Sequence, residues 1–301
     1  MPLTSTIPWL DSFLGSLAAR NASAHTQAAY TQDIADAWGF LRQASIESWP
    51  DAKQQHIQLW LAKRHAQGLS ARTLSRRLAA LRALFKHLRQ LGIAPTDPCQ
   101  GLRVPRATRN LPETMEAENV VQLLEKESEN LLEQRDIAMF EMMYGSGLRL
   151  SEVCSLNLQD IDLNQGEARV TGKGQKTRLV PLGNATIQAT ITWLSSRATY
   201  AHPQENALFL SQRRTRITPR NVQDRLTRLA RKRGIAGNTH PHMLRHACAS
   251  HFLQNSGDLR AVQELLGHSN LSTTQIYTHL DFQHLAKTYD AAHPRARRNT
   301  S

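Results

Sequence analysis

Residues 70–91 read SARTLSRRLAALRALFKHLRQL. The apolar side chains of this segment recur at steps of three or four residues, the spacing of one helix face. They are Leu74, Leu78, Leu81, Phe85 and Leu88. Ser70 is a suitable N-cap and Gly92 a suitable C-terminal stop. The segment therefore predicts a long amphipathic helix with one face in a core.

The same helix carries six cations and no acidic residue. At about 100° per residue, Arg72, Arg76 and Lys86 fall opposite the apolar face. Arg82 lies on the flank of that face, and Arg77 and Arg89 lie nearer its edges. We interpret this surface as a candidate contact with DNA phosphates. The alternative is an ordinary solvated helix face.

Three further helices are predicted before residue 70, where strand signals are nearly absent. They are Pro8–Ala19, Ser23–Gln43 and Asp51–Gln67. Between Pro95 and Pro112, four prolines prevent a continuous helix. We therefore predict a helical N-terminal domain over residues 1–94, a linker over 95–112 and a second domain over 113–301. Cations in the linker predict that it runs close to phosphates, with a flexible basic connector as the alternative: Arg103, Arg106 and Arg109.

The second domain begins with helix signals at 117–126 and 132–144, and a short β region follows. Residues 167–171 and 176–180 alternate apolar and polar side chains around a glycine-containing turn, which is typical of a hairpin. Lys173 lies on the predicted turn. After residue 185 the chain again favours helices, with a very basic segment at 220–233.

Composition indicates a globular protein that binds anions. The 301 residues carry a formal net charge of +12, and the basic excess is spread over both predicted domains and the linker. The three cysteines are far apart and odd in number, which is not the pattern of a disulfide framework. Neither a signal peptide nor an apolar run of about 18 residues is present, so we expect a cytoplasmic protein without membrane association.

Three segments contain the residues best suited to chemistry. They read YGSGLRLSEV at 144–153, HPHMLRH at 240–246 and LGHSNLSTTQIY at 266–277. Their order and spacing, together with Lys173, resemble the tyrosine recombinases. The GDLR motif at 257–260 and the residues from Tyr277 to Arg295 resemble the XerC subgroup of that family.

The resemblance implies a mainly α fold of two domains that closes as a clamp around double-stranded DNA. The first would be a helical, SAM-like core-binding domain, and the second an α-rich catalytic domain with a small antiparallel β-sheet. The segment from Asp281 onward would dock onto a neighbouring protomer.

The resemblance also implies site-specific recombination at dif-type sites, without ATP, in a tetramer of two such chains and two copies of a XerD-like partner. A division-linked DNA translocase would activate the complex, and the outcome would be resolution of chromosome dimers. Three alternatives stay open: a phage or mobile-element integrase of the same family, a DNA-binding architectural protein that does not cleave, and a metal-dependent nuclease.

Transfer of a DNA strand requires neutralisation of charge on the phosphate, and two arginines suit this task. Arg149 and Arg245 can each donate two parallel hydrogen bonds to phosphate oxygens. By resemblance they are the catalytic arginines of the family. The alternative is that Arg149 pairs with Glu152, three residues later, and that Arg245 is a surface cation.

The remaining catalytic roles also come from the resemblance. Tyr277 would attack phosphorus and form a 3′-phosphotyrosyl bond, and Lys173 would protonate the leaving 5′ oxygen. His242 would relay a proton or bind the phosphate, and His268 would support a non-bridging oxygen.

A histidine cluster near Arg245 raises the possibility of a metal site. Its members are His240, His242, His246 and His251. Because no acidic or cysteine ligand pattern accompanies them, we expect no metal and no cofactor, and we interpret the three other than His242 as structural.

Overall fold

The structure is a computed structural model. It describes residues 7–20, 22–105, 114–125, 128, 130–172, 177–267, 285, 287–289 and 291–293. The chain divides into two compact units, Met1–Asn110 and Leu111–Ser301. The predicted mainly helical fold with a small antiparallel sheet is confirmed. Within the described ranges, no helix has the length and apolar character needed to cross a membrane.

In its described residues, the N-terminal unit contains four α-helices and one short 3-10 helix, Trp49–Asp51. The α-helices are α1 (Leu10–Ala19), α2 (Ala24–Gln43), α3 (Gln54–Ala66) and α4 (Ala71–Gln90). The hydroxyl of Ser70 accepts a hydrogen bond from the Thr73 backbone N–H, so Ser70 is the N-cap of α4 as predicted. All five apolar residues predicted to form the inner face of α4 are buried.

Aromatic side chains fill the centre of the N-terminal core. Trp49 lies between Trp38, with ring centroids 4.7 Å apart, and Phe85, at 5.8 Å and edge-on. Trp60 is also fully buried, and its indole N–H donates to a carboxylate oxygen of Asp36 at 3.0 Å. Large rings that find polar partners let a small helical unit bury much apolar area without an unsatisfied N–H.

Part of the predicted linker packs against this core. Cys99 and Leu102 are buried in it, and the Leu102 carbonyl accepts a hydrogen bond from the Arg82 guanidinium at 2.6 Å. Gln54 donates to the Gln100 carbonyl at 3.1 Å. Residues 95–102 therefore fold as part of the helical unit, whereas the proposed domain bounds at 94 and 112 stay predictions.

The C-terminal unit contains seven named helices and one sheet within the described ranges. The helices are α5 (Ala117–Leu124), α6 (Leu131–Gly145), α7 (Leu150–Ser155), α8 (Asn184–Tyr200), α9 (Pro219–Lys232), α10 (Pro241–Ser256) and α11 (Leu259–Leu266). The sheet is antiparallel in the order β1-β2-β3, with β1 at Ile161–Asp162, β2 at Glu167–Thr171 and β3 at Thr177–Pro181. The sequence predicted β2 and β3 but not β1, because two residues are too few to show alternation.

Helix α6 forms the centre of the C-terminal core. Its residues from Ala138 to Gly145 are all buried, and α8 and α10 pack against it. A helix covered on all sides needs side chains that fill space without polar groups, and α6 supplies three methionines and a phenylalanine there. Since α6 ends at Gly145, this rigid core sets the position of the residues that follow.

Residues near the C-terminus pack onto the core of the C-terminal unit. Leu285, Tyr289 and His293 are buried, and the Tyr289 hydroxyl donates to the Gly145 carbonyl at 2.8 Å. The rings of Tyr289 and His293 stack with centroids 4.6 Å apart. The expected docking of the segment from Asp281 onward onto a neighbour stays a prediction.

Candidate active site

Arg149 lies at the N-terminus of α7, directly after the turn that ends α6. Gly147 in that turn has φ +61°, a conformation that glycine adopts without the strain of a Cβ. A Cβ at Gly147 would lie 3.0 Å from a methyl of Leu266 and 3.4 Å from the Cys248 sulfur. The turn therefore lies tightly against α10 and α11, and it directs Arg149 towards them.

Glu152 holds Arg149 in place. One carboxylate oxygen accepts the Arg149 backbone N–H at 2.8 Å, and the other accepts its guanidinium at 2.9 Å. The pairing that we considered as an alternative to catalysis is thus present. This ion pair does not bury the guanidinium: the Arg149 side chain is 36% exposed, whereas the Glu152 side chain is only 2% exposed. Burial raises the pKa of Glu152, but hydrogen bonds and charge from Arg178 and Arg149 outweigh it and lower the pKa overall.

Arg245 lies on α10 and is partly buried, which favours the interpretation as a site residue over that as an ordinary surface cation. Its guanidinium donates to the Gly147 carbonyl and, at 2.6 Å, to the Leu266 carbonyl. Burial, together with the charge of Arg149, lowers its pKa to about 10. The group remains charged at neutral pH.

The two arginines converge at one place. Arg149 donates to the Gly267 carbonyl at 3.4 Å, and Arg245 donates to the adjacent Leu266 carbonyl. The sequence places them 96 residues apart, in separate helices. Both guanidiniums therefore donate to the same short stretch of backbone, and guanidiniums are the side chains best suited to bind a phosphate.

His242 lies on the first turn of α10, three residues before Arg245, and it is exposed. Its ring centroid lies 6.3 Å from that of His240. His251, further along the helix, has its Nδ1 3.0 Å from the Tyr144 hydroxyl, and burial lowers its pKa. These positions support the structural interpretation of His251. In the described part of the chain, no group of three or more His, Cys, Asp or Glu residues could hold a metal ion.

Three predicted catalytic residues lie outside the described residues: Lys173, His268 and Tyr277. In the sequence, Lys173 falls between β2 and β3, and His268 directly follows Gly267. Their contacts with Arg149 and Arg245 stay predictions.

Comparison with known proteins agrees with this geometry. The profile of the Phage integrase family matches residues 113–284, and that of the phage integrase N-terminal SAM-like domain matches residues 10–92. Tyrosine recombinase XerC from Pseudomonas syringae pv. syringae is 48% identical over 93% of this chain and 93% of its own length. Its counterpart from Pseudomonas aeruginosa is 46% identical over 96% of this chain and 95% of its own.

The chain belongs to the phage integrase family of tyrosine recombinases. Within that family it belongs to the XerC subgroup, as the sequence indicated. This recombinase is therefore a DNA strand-transferring enzyme that acts site-specifically.

Solved structures of recombinases and integrases share the fold. XerH site-specific recombinase bound to difH substrate in a pre-cleavage complex has a TM-score of 0.66 and 25% identity, covering 90% of this chain and 80% of that one. A lambda integrase dimer bound to a COC′ core site has a TM-score of 0.67, covering 97% of this chain and 78% of that one. At 18% identity, the latter shows the fold alone.

Sequence reasoning missed one residue that the structure brings to the recombinase site. Arg178 on β3 donates to both carboxylate oxygens of Glu152, at 2.8 and 3.1 Å. The strand alternation contained a signal, since Arg178 shares the inward register of Val180. A cation in an inward position of a strand indicates a buried acidic partner.

The cations predicted to contact DNA differ in their surroundings. Arg72, Lys86 and Arg103 are exposed. Arg76 forms an ion pair with the buried Asp33, and Arg82 binds the Leu102 carbonyl. Arg106 lies outside the described residues.

Proposed function

We propose that this recombinase cuts one DNA strand through Tyr277. The tyrosine oxygen would attack the phosphorus while its hydroxyl proton passes to His242, forming a 3′-phosphotyrosyl bond. The bond to the 5′ oxygen would break, and this oxygen would take a proton from Lys173. Attack by a 5′ hydroxyl then reverses the step on a new partner strand. The phosphate bond energy is kept in the adduct, so ATP is not required.

The observation that carries this proposal is the convergence of Arg149 and Arg245. Both donate to carbonyls of consecutive residues, Leu266 and Gly267, which directly precede His268 in the sequence. Arg149 and Arg245 would bind the non-bridging oxygens, whose charge rises as the nucleophile attacks. His242 and His268 would complete the set of donors around the phosphate.

We further propose that the DNA is a dif-type chromosomal site and that a XerD-like recombinase is the partner, two copies of each chain forming the tetramer. The two units would close around duplex DNA, with contacts from cations of the N-terminal unit and linker. These are Arg72, Arg76, Arg82, Lys86, Arg103 and Arg106. Resolution of chromosome dimers, activated by a division-linked DNA translocase, would place the enzyme in the cytoplasm. The identity to XerC relatives over nearly the whole chain supports this role.

Covalent trapping tests the chemistry. The protein is incubated with a nicked dif-type site in EDTA, and the products are separated under denaturing conditions. We expect a protein–DNA adduct with the wild type and none with Tyr277→Phe. A wild type that forms no adduct and cuts the DNA only when magnesium is supplied would favour a metal-dependent nuclease, and adduct formation by the phenylalanine variant would assign the nucleophile elsewhere.

The choice of site is tested in the same assay. Adduct yield on the dif-type site, with a XerD-like recombinase present, is compared with the yield on a shuffled site of equal composition. Equal yields would contradict the proposed chromosomal role while leaving the chemistry intact.

A further inference from the structure

Arg178 is a buried cation in the C-terminal unit, which we call the catalytic unit from here on. It lies on β3 opposite Val170 of β2, and only 9% of its surface is exposed. Removal of a guanidinium from water costs free energy unless hydrogen bonds and an opposite charge replace the solvent. Its two terminal nitrogens donate to Glu152, which supplies the opposite charge, whereas its buried Nε has no hydrogen-bond partner among the described residues. The arrangement therefore depends on both partners being present.

Glu152 connects Arg178 to Arg149. The same carboxylate oxygen accepts hydrogen bonds from Arg178 at 2.8 Å and from Arg149 at 2.9 Å. Because Glu152 is almost fully buried, its orientation depends on these two guanidiniums. Arg178 is the more buried of the two, and it fixes the carboxylate from the side of the hairpin.

Arg178 also packs against Gly267. A Cβ at Gly267 would lie 2.9 Å from Nε and 3.0 Å from Cζ of Arg178, so the absence of a side chain leaves room for the guanidinium. Gly267 accepts the hydrogen bond from Arg149, and the preceding carbonyl accepts the one from Arg245. One side chain thus contacts the acid that orients the first arginine and the backbone to which that arginine binds.

We infer that Arg178 is a positioning residue for strand transfer, which holds Glu152 and Gly267 so that Arg149 meets the scissile phosphate in a fixed orientation. The inference rests on the proposed role of Arg149. Arg178 does not contact the phosphate itself, and its effect on the reaction passes through Glu152.

The charges around Glu152 give this role a distinctive pH dependence. Among the described residues, Arg149 at the start of α7, Arg178 on β3 and Arg245 on α10 act on it electrostatically. Burial disfavours the ionised form of Glu152, and the charge and hydrogen bonds of Arg178 offset this effect. When Arg178 is removed, the pKa of Glu152 therefore rises. A protonated Glu152 no longer attracts Arg149, so the variant should be impaired at lower pH and recover as pH rises.

The test measures single-turnover adduct formation with a nicked site from about pH 6 to about pH 9, a range in which a raised carboxyl pKa becomes visible. For Arg178→Met we expect a rate about 10- to 100-fold lower at neutral pH, as for other residues that orient a catalytic side chain. DNA affinity stays near the wild-type value, and the rate recovers towards alkaline pH. Adding Glu152→Gln to Arg178→Met should abolish the recovery.

Arg169→Met is the matched control, because Arg169 is exposed on β2 of the same hairpin, and we expect a wild-type profile from it. Thermal unfolding shows whether each variant folds. If Arg178→Met does not fold, Arg178→Lys keeps the charge on a single nitrogen without the planar fork. Because that charge still offsets the burial of Glu152, this variant should show a smaller loss and a smaller alkaline recovery.

Two results would overturn the inference: a loss of rate that is equal at every pH, or a wild-type rate in a folded Arg178→Met. Failure of the proposed chemistry can be distinguished from failure of this inference. If the chemistry is wrong, the wild type forms no adduct, or Tyr277→Phe still forms one.

Discussion

Arg245, which we propose to be catalytic, is a residue of a type that normally stays in water. Its guanidinium is partly buried and donates hydrogen bonds to the carbonyls of Gly147 and Leu266. Those bonds fix the plane of the group before any substrate arrives. A charged donor that is already oriented stabilises developing negative charge without reorganisation during the reaction.

Arg245→Lys should therefore impair the chemical step far more than DNA binding. A lysine ammonium keeps the charge but lacks the planar fork that spans both carbonyls and leaves donors for the phosphate. We expect adduct formation to slow about 100- to 1000-fold, the range for loss of one oriented donor at a transition state. Single-turnover trapping and a separate binding titration measure the two effects.

Arg169→Lys, on the exposed face of β2, is the control with the same change of side chain. A loss below about tenfold for Arg245→Lys would indicate that charge alone is sufficient and that the fork has no catalytic role.

At the scale of the element, α4 divides its cations between structure and solvent. Arg76 and Arg77 form ion pairs with Asp33, and Arg77 also pairs with Asp36, both acids lying on α2. These contacts attach α4 to α2. Arg72 and Lys86 are exposed on the outer face of the helix, where the sequence placed them, and Arg76 is exposed as well as ion-paired. Only the tertiary structure could separate the two groups, because α2 and α4 are distant in the sequence.

Replacing both Arg72 and Lys86 by glutamine should weaken DNA binding in a salt-dependent way. Each contact with a phosphate adds about 0.9 to the slope of log affinity against log salt, so the slope should become about 2 units shallower. Titrations at several salt concentrations, on specific and shuffled sites, measure it. The loss should be similar on both sites, since phosphate contacts do not read sequence.

Lys53→Gln combined with Lys63→Gln removes the same charge from exposed positions of the same unit. This control should change the slope little. An equal change in both double variants would indicate that total charge, and not the face of α4, determines binding.

At the scale of the whole molecule, residues near the C-terminus complete the catalytic core. Tyr289 is fully buried, and its hydroxyl donates to the Gly145 carbonyl at the end of α6, four residues before Arg149. Its ring also stacks on His293 and lies 6.0 Å, edge-on, from that of Phe252. The C-terminal segment is thereby linked to the helix that positions the site.

Tyr289→Ala should destabilise the catalytic unit by about 3 to 5 kcal/mol, the range for loss of a large buried ring. Tyr289→Phe removes only the hydrogen bond and should cost about 1 kcal/mol. Native-state hydrogen exchange read by mass spectrometry measures each unit separately. We expect lost protection in peptides of the catalytic unit and unchanged protection in peptides of the N-terminal helices. Protection lost equally in both units, or in neither, would contradict this assignment.

Much of this fold could be predicted because its signals are local. Ser70 and Gly92 delimit α4 correctly to within a residue or two, and the alternating segments around residue 173 predicted β2 and β3. The short strand β1 was missed because it is defined by its pairing with β2 and not by its own pattern.

The sequence by itself determined the family, the helical fold class and the identity of the candidate catalytic residues, because helix periodicity, capping and motif spacing depend on neighbours in the chain. Only the tertiary structure decided that Arg245 is partly buried, that Arg178 holds Glu152 and that Tyr289 reaches Gly145. These contacts join residues 26 to 144 positions apart. Their geometry depends on how helices and strands pack in the core, and no local pattern contains that information.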